Sequence, residues 1–270
     1  MTLSYPSSAG RNSVVGRWRT SCQTDDVPGV ASMVRLREAI ASFALADVDL
    51  DVEPAALIAI RRSLDESGLL LLGEVHGVRE NPLLIRALML ELDLMSLALE
   101  WFDGLSPTIA DFLANGVLTD DDNLWSGDGR ITAGHLAMLA ERAAAGRLNL
   151  ILFDGLIGAD QNWSQRDEAM ARRILAATTS GSRTLVVAGN AHTPTHETQL
   201  GIPLGAHLAR QRPEVRDILI NYRGGRSYNF EPRQFYSDDR AAQHVRLYED
   251  NGRLILELPL ASEAVVPHRI

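Results

Sequence analysis

The chain has 270 residues and a mass of 29.6 kDa, enough for one large domain with an ample core. Its 46% hydrophobic and 23% charged residues argue against a disordered chain, and 35 acidic against 26 basic residues give a formal charge of -9, which argues against a nucleic-acid partner. No run of about 18 apolar residues marks a membrane span. The lone Cys22 leaves no internal disulfide framework and no thiolate-rich zinc site, so the expected location is the cytoplasm. All 26 basic residues are arginine. Without lysine there is no Schiff base, no pyridoxal attachment and no P-loop grip on phosphate. The glycine signatures of dinucleotide-binding folds and of serine hydrolases are missing as well.

Residues 1–31 are rich in Ser, Gly, Pro and Asn and read as a flexible arm with no apolar leader; residues 32–270 read as a single α/β domain. Met33 to Leu45 and Pro54 to Leu64 have helical periodicity, the second with proline near its start, where the missing N–H costs least. Ser67-Gly68 breaks the chain before Leu69 to Gly73, an unbroken apolar run typical of a strand buried on both faces. Ser96 to Leu99, Leu148 to Phe153, Thr184 to Ala188 and Val215 to Asn221 read the same way. Helical segments separate them at Pro82 to Met95, Pro107 to Ala114, Thr132 to Ala145, Ser164 to Ala177 and Pro203 to Arg210. This alternation implies a mostly parallel sheet flanked by helices on both faces. At the end, Val245 to Tyr248 and Arg253 to Leu258 flank Asp250-Asn251-Gly252 and predict a C-terminal antiparallel hairpin.

Ligands of an open parallel sheet bind at the carboxyl ends of its strands. Gly73-Glu74-Val75-His76-Gly77 follows the first strand, and residues two apart in an extended chain share a face. Glu100 and Trp101 follow the second strand, Asp154 the third, and Gly189-Asn190-Ala191-His192 the fourth. Four strands in succession thus end in an acid or a histidine, the groups used in acid–base catalysis. Arg166 shares the inward stripe of its helix with Met170 and Ile174, in the first turn, where it faces the same edge. From there it is placed to neutralise Glu74 or Glu100, or to grip an anionic substrate. His192 and His196 have zinc-pair spacing, but Pro194 between them breaks the helix such a pair needs. A divalent metal held between loops would use His76, His192, Glu74 and Glu100. Trp101, Asp154, Asn190 and Trp125 are the candidate substrate-binding residues, while His135, His196, His207, His244 and His268 read as structural or solvent histidines.

Gly73-Glu74-Val75-His76-Gly77-Val78-Arg79-Glu80 resembles the G-E-x-x-H-G-x-x-E signature of the erythromycin esterases, with one residue fewer between Glu and His. Leu97 to Glu100, Arg166-Asp167-Glu168-Ala169-Met170-Ala171 and Asn190-Ala191-His192 resemble later family segments in the same order. The shorter spacing is closer to the ChaN-like haem-binding proteins of the same superfamily, which also holds the TraB and Tiki proteins. Resemblance to the esterases implies a metal-independent ester or lactone hydrolase without a cofactor. In it His76 is general base, Glu74 and Glu100 orient it or the water, and Arg166 and His192 stabilise the oxyanion. The substrate is a small molecule or a peptide, and the same groups would also serve an elimination or cyclisation. The ChaN-like branch implies haem or iron binding, and the Tiki and TraB branch implies a metal-dependent peptidase.

Overall fold

The computed structural model describes residues 30–155, 162–179, 181–235 and 244–270. Residues 1–29 of the expected arm lie outside the described residues, and Val30 and Ala31 already belong to the first helix, α1 (Val30–Ser42). After it come β1 (Leu50–Val52), α2 (Pro54–Ser67), β2 (Leu69–Glu74), α3 (Asn81–Glu91), β3 (Ser96–Phe102), α4 (Ser106–Asn115) and α5 (Ala133–Ala144). The second half holds β4 (Asn149–Asp154), α6 (Trp163–Ala177), β5 (Thr184–Gly189), α7 (Leu204–Gln211), β6 (Arg216–Tyr222), β7 (Gly225–Asn229), β8 (Glu231–Phe235), β9 (Val245–Asp250) and β10 (Arg253–Leu258).

Eight strands form one sheet in the order β1-β9-β10-β6-β2-β5-β3-β4. From β10 to β4 every neighbour is parallel, β9 and β10 pair antiparallel, and β1 is parallel to β9. The expected terminal hairpin is present, with Asn251 and Gly252 both at positive φ in its turn. It is not an appendage, because β10 is laid along β6 and carries the main sheet outward. A separate two-stranded hairpin is made by β7 and β8.

The leucine run of β2 shows why the helices divide as they do. Leu70 and Leu72 join one core cluster, with residues of α1 to α5, while Leu69 and Leu71 join another, with Met170 and Ile174 of α6 and Leu204 and Leu208 of α7. Successive side chains leave a strand on opposite faces, so an unbroken apolar run requires cover on both. The fold is therefore α/β, a mostly parallel sheet between two helical layers.

Local signals fix the elements that carry chemistry. Asn162 and Gln165 form a reciprocal capping box at the start of α6, which sets the first turn and so the direction of Arg166 and Asp167. Thr132 caps α5 by accepting from the His135 amide. Between Leu99 and Phe102, three steps on β3 oppose two on β4, a bulge that re-aims Glu100. The turn after β2 is locked at Gly77, whose φ is +70°. Its N–H donates to the Gly129 carbonyl at 2.9 Å, and its own carbonyl accepts from Tyr228 and Ala264. A Cβ there would stand 1.8 Å from the Tyr228 carbonyl oxygen. Gly77→Ala is therefore expected to lose stability by at least about 2 kcal/mol, read from urea unfolding, since it combines a strained φ with a backbone clash. A change within about 0.5 kcal/mol would show that the turn is not held in this way.

Candidate active site

Around the carboxyl edge of β2, β3, β4 and β5 gather five carboxylates, two guanidinium groups and three imidazoles. Glu74 closes β2, and its Oε1 lies 3.1 Å from His76 Nδ1. Its other oxygen, Oε2, is buried without a hydrogen-bond partner among the described residues and faces Nε2 of His135 at 4.0 Å. His135 is buried beneath it, with Nδ1 2.9 Å from the Thr132 hydroxyl and an edge-on contact to Trp101. Read from the sequence as a structural or solvent histidine, His135 is a buried one, and no local pattern on α5 signals its approach to Glu74.

Burial opposes a charge on His76, but its hydrogen bond to Glu74 and the nearby charges of Glu100 and Glu74 outweigh it, so its pKa is raised above the ordinary 6.5. His76 Nε2 faces the Gly189 backbone, where even a Cβ would approach it to 3.3 Å. Among the described residues, Nε2 makes no hydrogen bond.

Glu100 lies deeper. Its Oε1 accepts from Arg166 Nη2 at 2.9 Å and its Oε2 from the Gly189 amide at 2.8 Å. Arg166 reaches on to Asp154, with Nε to Oδ1 at 3.2 Å and Nη2 to Oδ2 at 2.7 Å. Arg130 completes the clamp: Nη1 donates to Asp154 Oδ2 at 2.7 Å and to the Glu100 carbonyl at 3.0 Å, and Nε donates to Asp128. Burial alone would raise the Glu100 pKa, yet His192, Arg130, His76 and Arg166 hold it far below the usual carboxylate range. Arg130 is correspondingly more firmly protonated, through Glu100, Asp128 and Asp154.

His192 sits on the other side of Arg166. Its Nδ1 is 2.8 Å from both oxygens of Asp167, a fully buried residue whose Oδ2 also accepts from the Leu204 amide at 2.7 Å. Its Nε2 is 3.3 Å from Arg166 Nη1. A guanidinium only donates, so when the ring is neutral Nε2 presents its lone pair to Arg166 and Nδ1 carries the proton to Asp167, whereas a protonated ring sets its charge 3.6 Å from Glu100 Oε1. Trp163 stacks on the ring at 5.1 Å.

The fold thus brings Glu74, His76, Glu100, Arg166, His192 and Asp154 together. Asp154 serves as an anchor for both arginines rather than as an open substrate contact. Trp101 does not form a stacking wall: it is 2% exposed, and its indole N–H donates to the Arg130 carbonyl at 3.1 Å. Asn190 is exposed, and its backbone N–H closes on the Glu74 carbonyl at 2.8 Å. Trp125, pinned by Asp120 at 2.8 Å, lines a hollow of about 300 Å³ beside Arg130. A larger hollow of about 550 Å³ lies between α6 and α7, on the face away from these groups. Among the described residues no three His, Cys, Asp or Glu side chains converge as metal ligands. The oxygens of Glu100 and Asp154 are instead engaged by two fixed positive charges, which oppose a divalent cation at those two groups.

No protein-family model matches the chain, and no curated protein does. Among solved structures the chain is similar to a Bacillus cereus protein, at 10% identity and a TM-score of 0.57, over 87% of this chain and 99% of that one. It is similar also to a protein described as a succinoglycan biosynthesis protein, at 10% identity and a TM-score of 0.54, over 88% and 99% of the two chains. A solved bacterial protein toxin shares 21% identity over 78% of this chain at a TM-score of 0.42, and the chain spans 43% of its length. The first two likenesses speak for the fold alone.

The Glu74–His76 pair yields a direct expectation. In an NMR titration His76 should change charge above 6.5, and in Glu74→Gln it should do so at a lower pH than in the wild type, because burial still opposes the cation while the hydrogen bond and charge of Glu74 are lost. A raised folded pKa means that the stabilisation is complete below the unfolded value and is lost as pH rises through the folded one. An unshifted titration in Glu74→Gln would show that Glu74 does not control His76.

Proposed function

We propose that the protein is a metal-independent acid–base hydrolase that opens an ester or lactone bond of a small molecule in the cytoplasm, with His76 as the general base. The observation that carries this reading is the buried Glu74–His76 pair, whose outer nitrogen Nε2 makes no hydrogen bond among the described residues and stands beside the double-arginine clamp. The parts match what acyl transfer to water requires. Water attacks the carbonyl carbon and gives its proton to His76 Nε2, while Glu74 holds Nδ1 and stabilises the imidazolium. Collapse of the tetrahedral intermediate breaks the bond to the alcohol oxygen, which takes the proton back from Nε2. Arg166 helps keep Glu100 ionised, binds Asp154 and presents Nη1 to His192. Its donors are thus largely committed to the protein, so its first task is to organise the site.

A panel of p-nitrophenyl esters and lactones tests the reading, on enzyme dialysed against a chelator. Turnover should survive dialysis, and His76→Ala should lower kcat/KM by a factor on the order of 10²–10⁴ with an unchanged circular-dichroism spectrum. The base works unprotonated, so log kcat/KM should rise with pH through a value above 6.5. Undiminished turnover in His76→Ala, or activity lost to the chelator and restored by one divalent ion, contradicts the proposal.

A further inference from the structure

We infer that the hollow beside Arg130 is the acyl-binding site, and that it takes the uncharged carbonyl end of a compact ester or lactone, about one ring wide. This inference rests on the hydrolase reading for its chemistry but not for its binding test. Arg130 is the guanidinium with an arm to spare. Its Nε is held by Asp128 and its Nη1 by Asp154 and the Glu100 carbonyl, while Nη2 makes no hydrogen bond among the described residues. Arg166, by contrast, uses all three of its nitrogens on Asp154, Glu100 and His192.

Arg130 lines the 300 Å³ hollow together with Phe102, Trp125, Ser126, Asp128 and Ile131. That volume is at the small end of ligand pockets, and two of its eight lining residues, Phe102 and Trp125, are aromatic. The wall is set before any ligand arrives, because Asp120 pins the Trp125 indole and the Trp101 indole N–H holds the Arg130 backbone. The hollow shares Arg130 with the clamp, and the loop that carries Arg130 is tied to the loop of the base. Gly77, next to His76, donates to the carbonyl of Gly129, next to Arg130, and the Arg130 charge acts directly on His76. A carbonyl oxygen accepting from Nη2 would place the reacting bond at the one cation that the hollow and the clamp share. As attack moves the C=O electron pair onto oxygen, the growing negative charge stays on a fixed guanidinium.

Local charge argues for a neutral ligand. Glu100, Asp128 and Asp154 outnumber Arg130 and Arg166 in the cluster, so a free carboxylate meets net repulsion. A neutral ester would be admitted, and the carboxylate it becomes would be released.

Calorimetric binding of benzamide, a neutral carbonyl compound that mimics the substrate end, tests this without needing turnover. Benzamide should bind the wild type, and benzoate should bind about tenfold more weakly or worse. Arg130→Gln and Trp125→Ala should each weaken benzamide about tenfold. Trp125→Ala leaves the buried ion pairs in place, so it keeps the test sound if Arg130→Gln fails to fold. Trp125→Ala should also lower the ratio of kcat/KM for p-nitrophenyl benzoate over p-nitrophenyl acetate. Absent benzamide binding, benzoate bound as tightly as benzamide, or affinities unmoved in folded variants would overturn the inference even if esters are hydrolysed. Benzamide binding that follows these expectations, with no ester turned over, would uphold the pocket and retire the hydrolase reading instead.

Discussion

Two buried arginines hold the site, and most of the edge geometry follows from them. Arg166 and Arg130 both end on Asp154 Oδ2, and both reach Glu100, one through its carboxylate and one through its carbonyl. Charges so withdrawn from water are costly unless each is paired and hydrogen-bonded, and here every oxygen of the two carboxylates has a donor. The clamp joins β3, β4, α6 and the loop before α5, and through the Gly189 amide it reaches the end of β5. Removing one partner would leave its fellow charge buried and unpaired, a loss of about 3–5 kcal/mol in comparable pairs. The position of His76 and His192 relative to one another depends on that frame.

The two imidazoles occupy contrasting settings within it. Each has a carboxylate at Nδ1, Glu74 for His76 and Asp167 for His192. Nε2 of His192 is closed off by Arg166, whereas Nε2 of His76 stands over bare backbone at Gly189. The same dyad thus yields one histidine committed to the framework and one open to a proton donor. This asymmetry supports His76 as the base, and it assigns His192 to the support of Arg166. Asp167 ties that support to the first turn of α7 through the Leu204 amide.

Local pattern carried the reading of the sheet because its central strands are continuous apolar runs bounded by glycine, proline or polar turns. Leu69 to Gly73 marks β2, and each helix between the central strands begins or ends within a few residues of its periodic segment. The strand ends also announced the chemistry, since Glu74, Glu100 and Asp154 are polar exceptions at the termini of apolar runs. What local pattern missed depends on distant partners. β1 is three residues long and exists because β9 lies alongside it. β7 and β8 are short, and β8 is largely exposed, so it lacks the burial that makes a strand legible. Asp128-Gly129-Arg130 reads as an ordinary turn, and nothing in it shows that Arg130 will meet Asp154, 24 residues later in sequence. His135 looks like any polar position on a helix until Glu74 is placed above it.

The account stands on Glu100 being locked as a carboxylate by the clamp. Carbon-13 NMR of its side-chain carboxyl, followed between about pH 4 and 7, tests this directly. The signal should stay that of the ionised form throughout, because the neighbouring cations hold its pKa far below the ordinary 4.5. A titration centred near 4.5 would show an unclamped carboxylate, and the arrangement of Arg166, Arg130 and both histidines described above would be contradicted.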